Sequence, residues 1–205
     1  MEVSGDLEKQ FDREFARSLL FTQKLVDVFT RRFGVSVAGA AEKIVPVETR
    51  RAWAEASPDE RLNIYMAKSQ FEIRFLDEME KAHGEPVAAM VSDLVAEDEF
   101  NKWKGIAEKE KSRTLDDFFR LLWVPLPFMG FEYTVEKRDN GIDAAVTRCP
   151  LHEMSKHTGG EKWLYLLACE RDFHNARGFN PAIGLKRNKT LMQGDAACEF
   201  HYRMI

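Results

Sequence analysis

The residues best equipped for chemistry lie between Arg148 and Phe200, a stretch that holds all three cysteines of the chain, Cys149, Cys169 and Cys198. Tyr165, Cys169 and Asp172 recur at i, i+4 and i+7, a spacing that puts a phenol, a thiol and a carboxylate on one face of a helix. A carboxylate one turn beyond a thiol suits proton transfer. Desolvation raises an Asp toward the range where it trades protons near neutral pH, and nearby positive charge draws a Cys toward thiolate. Cys169 and Asp172 are therefore the candidate catalytic pair. Each also has a plainer role open to it, Cys169 as a small buried hydrophobe and Asp172 as the partner of Arg171 or Lys186. Arg187 and Asn188 fall on an expected strand, where a guanidinium can fork onto a substrate carboxylate and an amide can orient an amidine. A salt bridge on a strand face is their alternative. With Tyr165 and Cys198 they make the candidate substrate-binding set.

The same cysteines leave a metal site open. Three thiolates with His152 or His174 would suit zinc. No Cys-x-x-Cys pair occurs, however, and the sulfurs are scattered singly, so no metal ligand is assigned and no cofactor is expected. A phosphate-cradling glycine loop, a serine elbow and an HExxH motif are all missing from the sequence.

The elements that must position these residues begin with helices. Leu7, Phe11, Phe15, Leu19 and the apolar residues up to Phe29 recur near helical spacing, charged residues fill the gaps to Phe33, and Gly34 can end the helix. Residues 35–47 read as an irregular or short helical connection, and 48–56 as a second helix. Ser57-Pro58-Asp59-Glu60 starts a longer one, with a serine cap, an early proline and acidic residues facing the helix dipole. It carries Leu62, Tyr65, Met66, Phe71, Phe75 and Met79 and closes at His83-Gly84. Pro86 permits a further helix with Val87, Met90, Val91, Leu94 and Val95. Residues 98–111 are charged around Phe100, Trp103 and Ile106, and Thr114 caps a final helix through Trp123.

Pro125 and Pro127 break the helical pattern. Residues 131–136 and 142–148 flank Lys137-Arg138-Asp139-Asn140-Gly141, whose Asn-Gly pair favours the positive φ angles of a hairpin turn. Residues 163–175 lack a polar face in their first half, so a buried helix laid on the sheet is expected there, with Gly178 as its stop. Residues 182–190 and 197–204 supply two more strands, joined at Gln193-Gly194-Asp195. The expected fold class is α+β: one domain, 1–205, with a helical half (1–124) and a half (125–205) in which a buried helix packs on an antiparallel sheet.

Hydrophobic residues at 44% and charged residues at 31% fit a globular chain able to bury its own core, and the net charge of −4 argues against nucleic-acid binding. A small-molecule substrate is the expected partner, with self-association open. The polar N-terminus lacks a signal-type apolar region and no apolar run reaches membrane-spanning length, so a cytoplasmic location with no membrane partner is expected.

The order Cys149-Pro150, Cys169-x-x-Asp172, Arg187-x-x-Thr190 and Gly194-Asp195-x-x-Cys198-Glu199-Phe200 resembles the L-2-amino-thiazoline-4-carboxylic acid hydrolase family. The likeness covers roughly the last 75 residues well, the helical half following in pattern and length. The ending also resembles the closing strands of 4-vinyl reductase type ligand-binding domains. The first resemblance implies a hydrolase opening a small cyclic amidine or related carbon–nitrogen or carbon–sulfur heterocycle. Water or the Cys169 thiolate would add to the ring carbon, Asp172 would shuttle the proton and Arg187 would hold the carboxylate. The other reading is a non-enzymatic small-ligand or metal-binding sensor module.

Overall fold

The computed structural model describes residues 5–34 and 58–205, leaving aside the side chains of 5–12, 14, 58, 59, 61, 62 and 128. The expected connection at 35–47, the helix at 48–56 and the Ser57 cap lie outside these residues. The chain divides into two compact units, Met1–Gly84 and Glu85–Ile205.

In the first unit, α1 (Gly5–Phe33) buries Phe15, Leu19, Thr22, Val26 and Phe29, alternate steps of four and three that trace one helical stripe. Gly34, at φ 68°, ends it by donating to the Thr30 carbonyl at 2.9 Å. α2 (Pro58–His83) buries Ser69, Glu72, Leu76 and Met79. Contacts advance in the same sense along both helices: Thr22 donates to the Glu72 carboxylate, Phe29 meets Phe75 edge-on, and Phe33 stacks on His83. Lys68, 2.9 Å from Glu72, compensates that buried charge.

The second unit carries the chemistry-bearing residues. α3 (Pro86–Ala107) is one helix across both expected segments, because nothing between Val95 and Asp98 breaks it. Its buried stripe runs Val87, Val91, Leu94, Val95, Glu99, Trp103 and Ala107. Thr114 and Asp117 form a capping box at α4 (Leu115–Leu122). A short 3₁₀ turn, Leu126–Met129, leads into β1 (Glu132–Arg138) and β2 (Gly141–Arg148).

The hairpin is present, but for a different backbone reason. No described non-glycine residue has positive φ and neither does Gly141, so Asn140-Gly141 does not supply the left-handed pair expected of it. Gly141 is needed because a Cβ there would lie 2.2 Å from the Tyr202 carbonyl of the neighbouring strand.

After β2 comes a helix that was not expected, α5 (Pro150–Thr158), with Cys149 at its N-cap and Pro150 in its first turn. The segment beyond it is α6 (Glu161–Leu164), a π-helical turn over Tyr165–Cys169, and α7 (Arg171–Phe179). Gly178 does not stop this helix, which runs one residue past it. A Cβ at Gly178 would sit 2.5 Å from the Phe100 carbonyl, so the glycine serves the close approach of α3 to α7. β3 is short, Ile183–Lys186, and a 3₁₀ turn at Leu191–Gln193 precedes β4 (Cys198–Met204).

The four strands are antiparallel in the order β1-β2-β4-β3, with Ile142, Ala144 and Val146 opposite Tyr202, Phe200 and Cys198. These six residues are buried and form the inner face. Trp123 packs edge-on against Tyr133 and Phe200, with centroids 5.1 and 4.9 Å away, and Phe118 bridges Tyr202 and Phe179. Asp143, Glu199, His201 and Arg203 alternate onto the outer face. The architecture is thus α+β, helices followed by an antiparallel sheet with a helix laid on it, as expected. Among the described residues no helix is long and apolar enough to cross a membrane.

Candidate active site

The π turn decides which side chains of the long helical segment face the sheet. Glu170 N–H reaches back five residues to the Tyr165 carbonyl (3.0 Å), so this turn holds one residue more than an α turn. Arginine side chains come to its carbonyls: Arg171 donates through Nε to Leu167, and Arg187 through Nη1 to Cys169 at 2.9 Å. Two further links fix the segment against α3. Arg171 Nη1 lies 2.8 Å from the buried Glu99 carboxylate, whose other oxygen accepts from Trp103 Nε1 at 2.8 Å, and Ser92 donates to Glu170 at 2.6 Å.

Arg187 is the centre of the arrangement. It stands just past the end of β3, not within a strand, and its side chain is only 1% exposed. The same Nη1 that bonds the Cys169 carbonyl donates to Asp172 Oδ2. The rings of Phe173, Phe200 and Tyr165 surround the guanidinium, with centroids 4.8, 5.4 and 5.9 Å from Cζ. Such a cradle favours a delocalised, weakly hydrated cation over an ammonium.

Arg187 contacts the Tyr165 ring, the Cys169 carbonyl and the Asp172 carboxylate, so the three residues expected on one face meet at one guanidinium, across a π turn and not the regular α pitch that the spacing assumed. The site has an ion pair at its heart, and that changes what each member can do. Burial pushes Asp172 up to about 6; Arg187 pulls the other way and the Glu99 charge adds to the rise. A side chain that keeps 23% of its exposure is reachable by water, and one titrating near 6 gives and takes protons close to neutrality.

The thiols go the other way from the expected thiolate. Burial first, then the Asp172 charge, raises Cys169 far above its ordinary range, and Arg187 offsets only part of this. Cys149 is pushed up to about 11 by burial, although backbone N–H groups of His152 and Leu151 lower it. Cys198 is raised by burial while its sulfur accepts the Leu191 N–H at 3.2 Å. All three thiols lie close enough to Asp172 to feel its charge. Near neutral pH they are uncharged thiols. Among the described residues no three His, Cys, Asp or Glu side chains gather as metal ligands.

Asn188 is left exposed, one residue beyond the buried Arg187, and is not brought to the cluster. Residues that spacing did not single out are Asn175, Phe173 and Phe200. Asn175 lies three residues beyond Asp172, is 2% exposed, and its amide is close enough to the Asp172 carboxyl to lower it. The helical interval from Asp172 was the signal that could have found it.

These features make a candidate site at the seam between helix and sheet, built on a buried Asp172–Arg187 pair whose carboxyl is raised to about 6. The family model described as L-2-amino-thiazoline-4-carboxylic acid hydrolase matches residues 64–202, and the chain belongs to that family. The match begins inside α2 and so reaches well before the hairpin. No curated protein matches the chain, and no solved structure does.

Proposed function

We propose that this chain is a hydrolase that opens a small cyclic amidine, of which 2-amino-thiazoline-4-carboxylate, the compound in the family description, is the model substrate. Asp172, held at about 6 by burial against its Arg187 partner, is the observation that supports this reading. In its ionised form Asp172 takes a proton from water as the water oxygen bonds to the ring carbon between nitrogen and sulfur. The carbon–sulfur bond then breaks, the proton passes from Asp172 to the leaving sulfur, the second proton of the water ends on the ring nitrogen as the carbonyl forms, and a carbamoyl amino thiol results. Cys169, uncharged, lines the site in this scheme and does not attack. Arg187 keeps Asp172 aimed and has Nη2 left for an anionic group of the substrate.

The test is incubation of the purified chain with 2-amino-thiazoline-4-carboxylate while a thiol-reactive dye reports ring opening. Thiol release that falls as pH drops through about 6, and that Asp172→Asn reduces at least 100-fold, is the expected result. Absence of release, or an active Asp172→Asn variant, would overturn the reading.

A further inference from the structure

We propose that Asn175 is the specificity-determining residue of this site, and that its Oδ1 accepts the exocyclic N–H of a bound amidine beside Asp172. The inference deepens the cyclic-amidine reading above and rests on it. Asn175 is buried on α7 one turn beyond Asp172, and its amide favours the ionised Asp172 carboxylate, which can only accept; Nδ2 is therefore the end that faces it. Oδ1 is then fixed as a lone acceptor, and it has no partner in the structure. Arg187, the ion-pair partner of the same carboxylate, has a second buried atom without a hydrogen-bond partner, Nη2, with the Tyr165 phenol close by and helping to hold its charge. Two further unpartnered atoms of this unit, Trp123 Nε1 and Tyr202 Oη, lie next to each other and can satisfy one another with a small shift.

Asn175 and Arg187, both neighbours of Asp172, thus hold a buried acceptor and a buried donor without partners next to a proton-trading carboxylate. A buried amide oxygen costs free energy unless something donates to it. An amidine offers what this trio lacks: N–H groups for Asn175 Oδ1, a carbon next to them for the water that Asp172 activates, and an attached anion for Arg187 Nη2. A ring of the same shape without the exocyclic N–H would leave Oδ1 unpaired and be selected against.

Calorimetric titration of the full chain with 2-amino-2-thiazoline and 2-methyl-2-thiazoline tests this. The readout is the ratio of the two Kd values at pH 8, well above the Asp172 value of about 6, so that the carboxylate is ionised in wild type and variant and its preference for the more basic ring is common to both. We expect wild type to favour the amino compound and Asn175→Leu, which keeps shape and removes the acceptor, to shrink the ratio about tenfold. Asn175→Ser is read the same way should the leucine variant fail to fold. A merely structural role would weaken both compounds alike. Preference retained in the variants overturns the role of Asn175 while the cyclic-amidine reading stands. A wild type that shows no preference, or binds neither compound, overturns both.

Discussion

Arg187 Nη1 bonds the Cys169 carbonyl and the Asp172 carboxylate at once, so a single guanidinium ties the candidate base to the backbone of the widened turn. Arg187→Ala removes that attraction and leaves Asp172 without its countercharge. Loss of about 3 kcal/mol of stability is expected from chemical denaturation. The acidic limb of the kcat profile should also move above about 6, because the group lowering Asp172 is gone. A limb that stays in place would show that Arg187 does not set the Asp172 titration.

Cys169→Ser should retain most activity, within about tenfold of wild type, because a thiol raised this far supplies almost no thiolate at neutral pH. Steady-state turnover by thiol release is the measurement. A loss greater than about 100-fold would return Cys169 to the role of nucleophile.

Stability should depend on pH through Asp172 in an uncommon direction for a carboxylate. Its folded value, about 6, lies above the ordinary 3.8, so the folded chain holds a proton that the unfolded chain releases first. This contribution is fully present below about 3.8 and is lost as pH rises through about 6; it amounts to about 3 kcal/mol. Asp143 acts oppositely: burial raises it, but hydrogen bonds from His201, Arg138 and Arg203 overcome that and hold it well below 3.8, so its stabilisation persists above 3.8 and fades in stronger acid. Denaturation midpoints of wild type and Asp172→Asn from pH 4 to 7 separate the two. The variant should lose the decline between 4 and 6.

Gly178→Ala should destabilise the chain by about 1–3 kcal/mol, since the new methyl meets a backbone carbonyl that cannot rotate away. A thermal melt should show a midpoint lower by several degrees. An unchanged midpoint would mean that α3 and α7 can part at little cost.

What the sequence revealed of this site followed from periodicity. Tyr165, Cys169 and Asp172 could be placed on one face because helical spacing is a short-range rule, and the hairpin and β4 were visible as alternation. The π turn was not, because no residue type announces i→i+5 bonding. Arg187 was assigned to a strand that stops one residue earlier, so its inward direction was anticipated for the wrong reason and its engagement with Asp172 was not anticipated at all. Gly178 and Gly141 both act through close backbone approach, a tertiary fact, whereas a lone sequence offers only the local reading of stop or turn. α5 was hidden by Cys149-Pro150, which marks a strand end and a helix start equally well. The thiols' behaviour depends on how much water the fold removes, and spacing carries no measure of that.

The extra residue in the Tyr165–Cys169 turn acts as an angular offset between the two ends of the segment. Rewinding that turn to regular α pitch with every residue kept would bury much the same apolar stripe before it and rotate everything beyond it by about 100°. Asp172, Phe173 and Asn175 would swing away from Arg187 together, while Trp163 and Leu164 stayed put. Whether this segment forms a site or only a buried helix is therefore set by how one turn is wound as well as by which residues follow it.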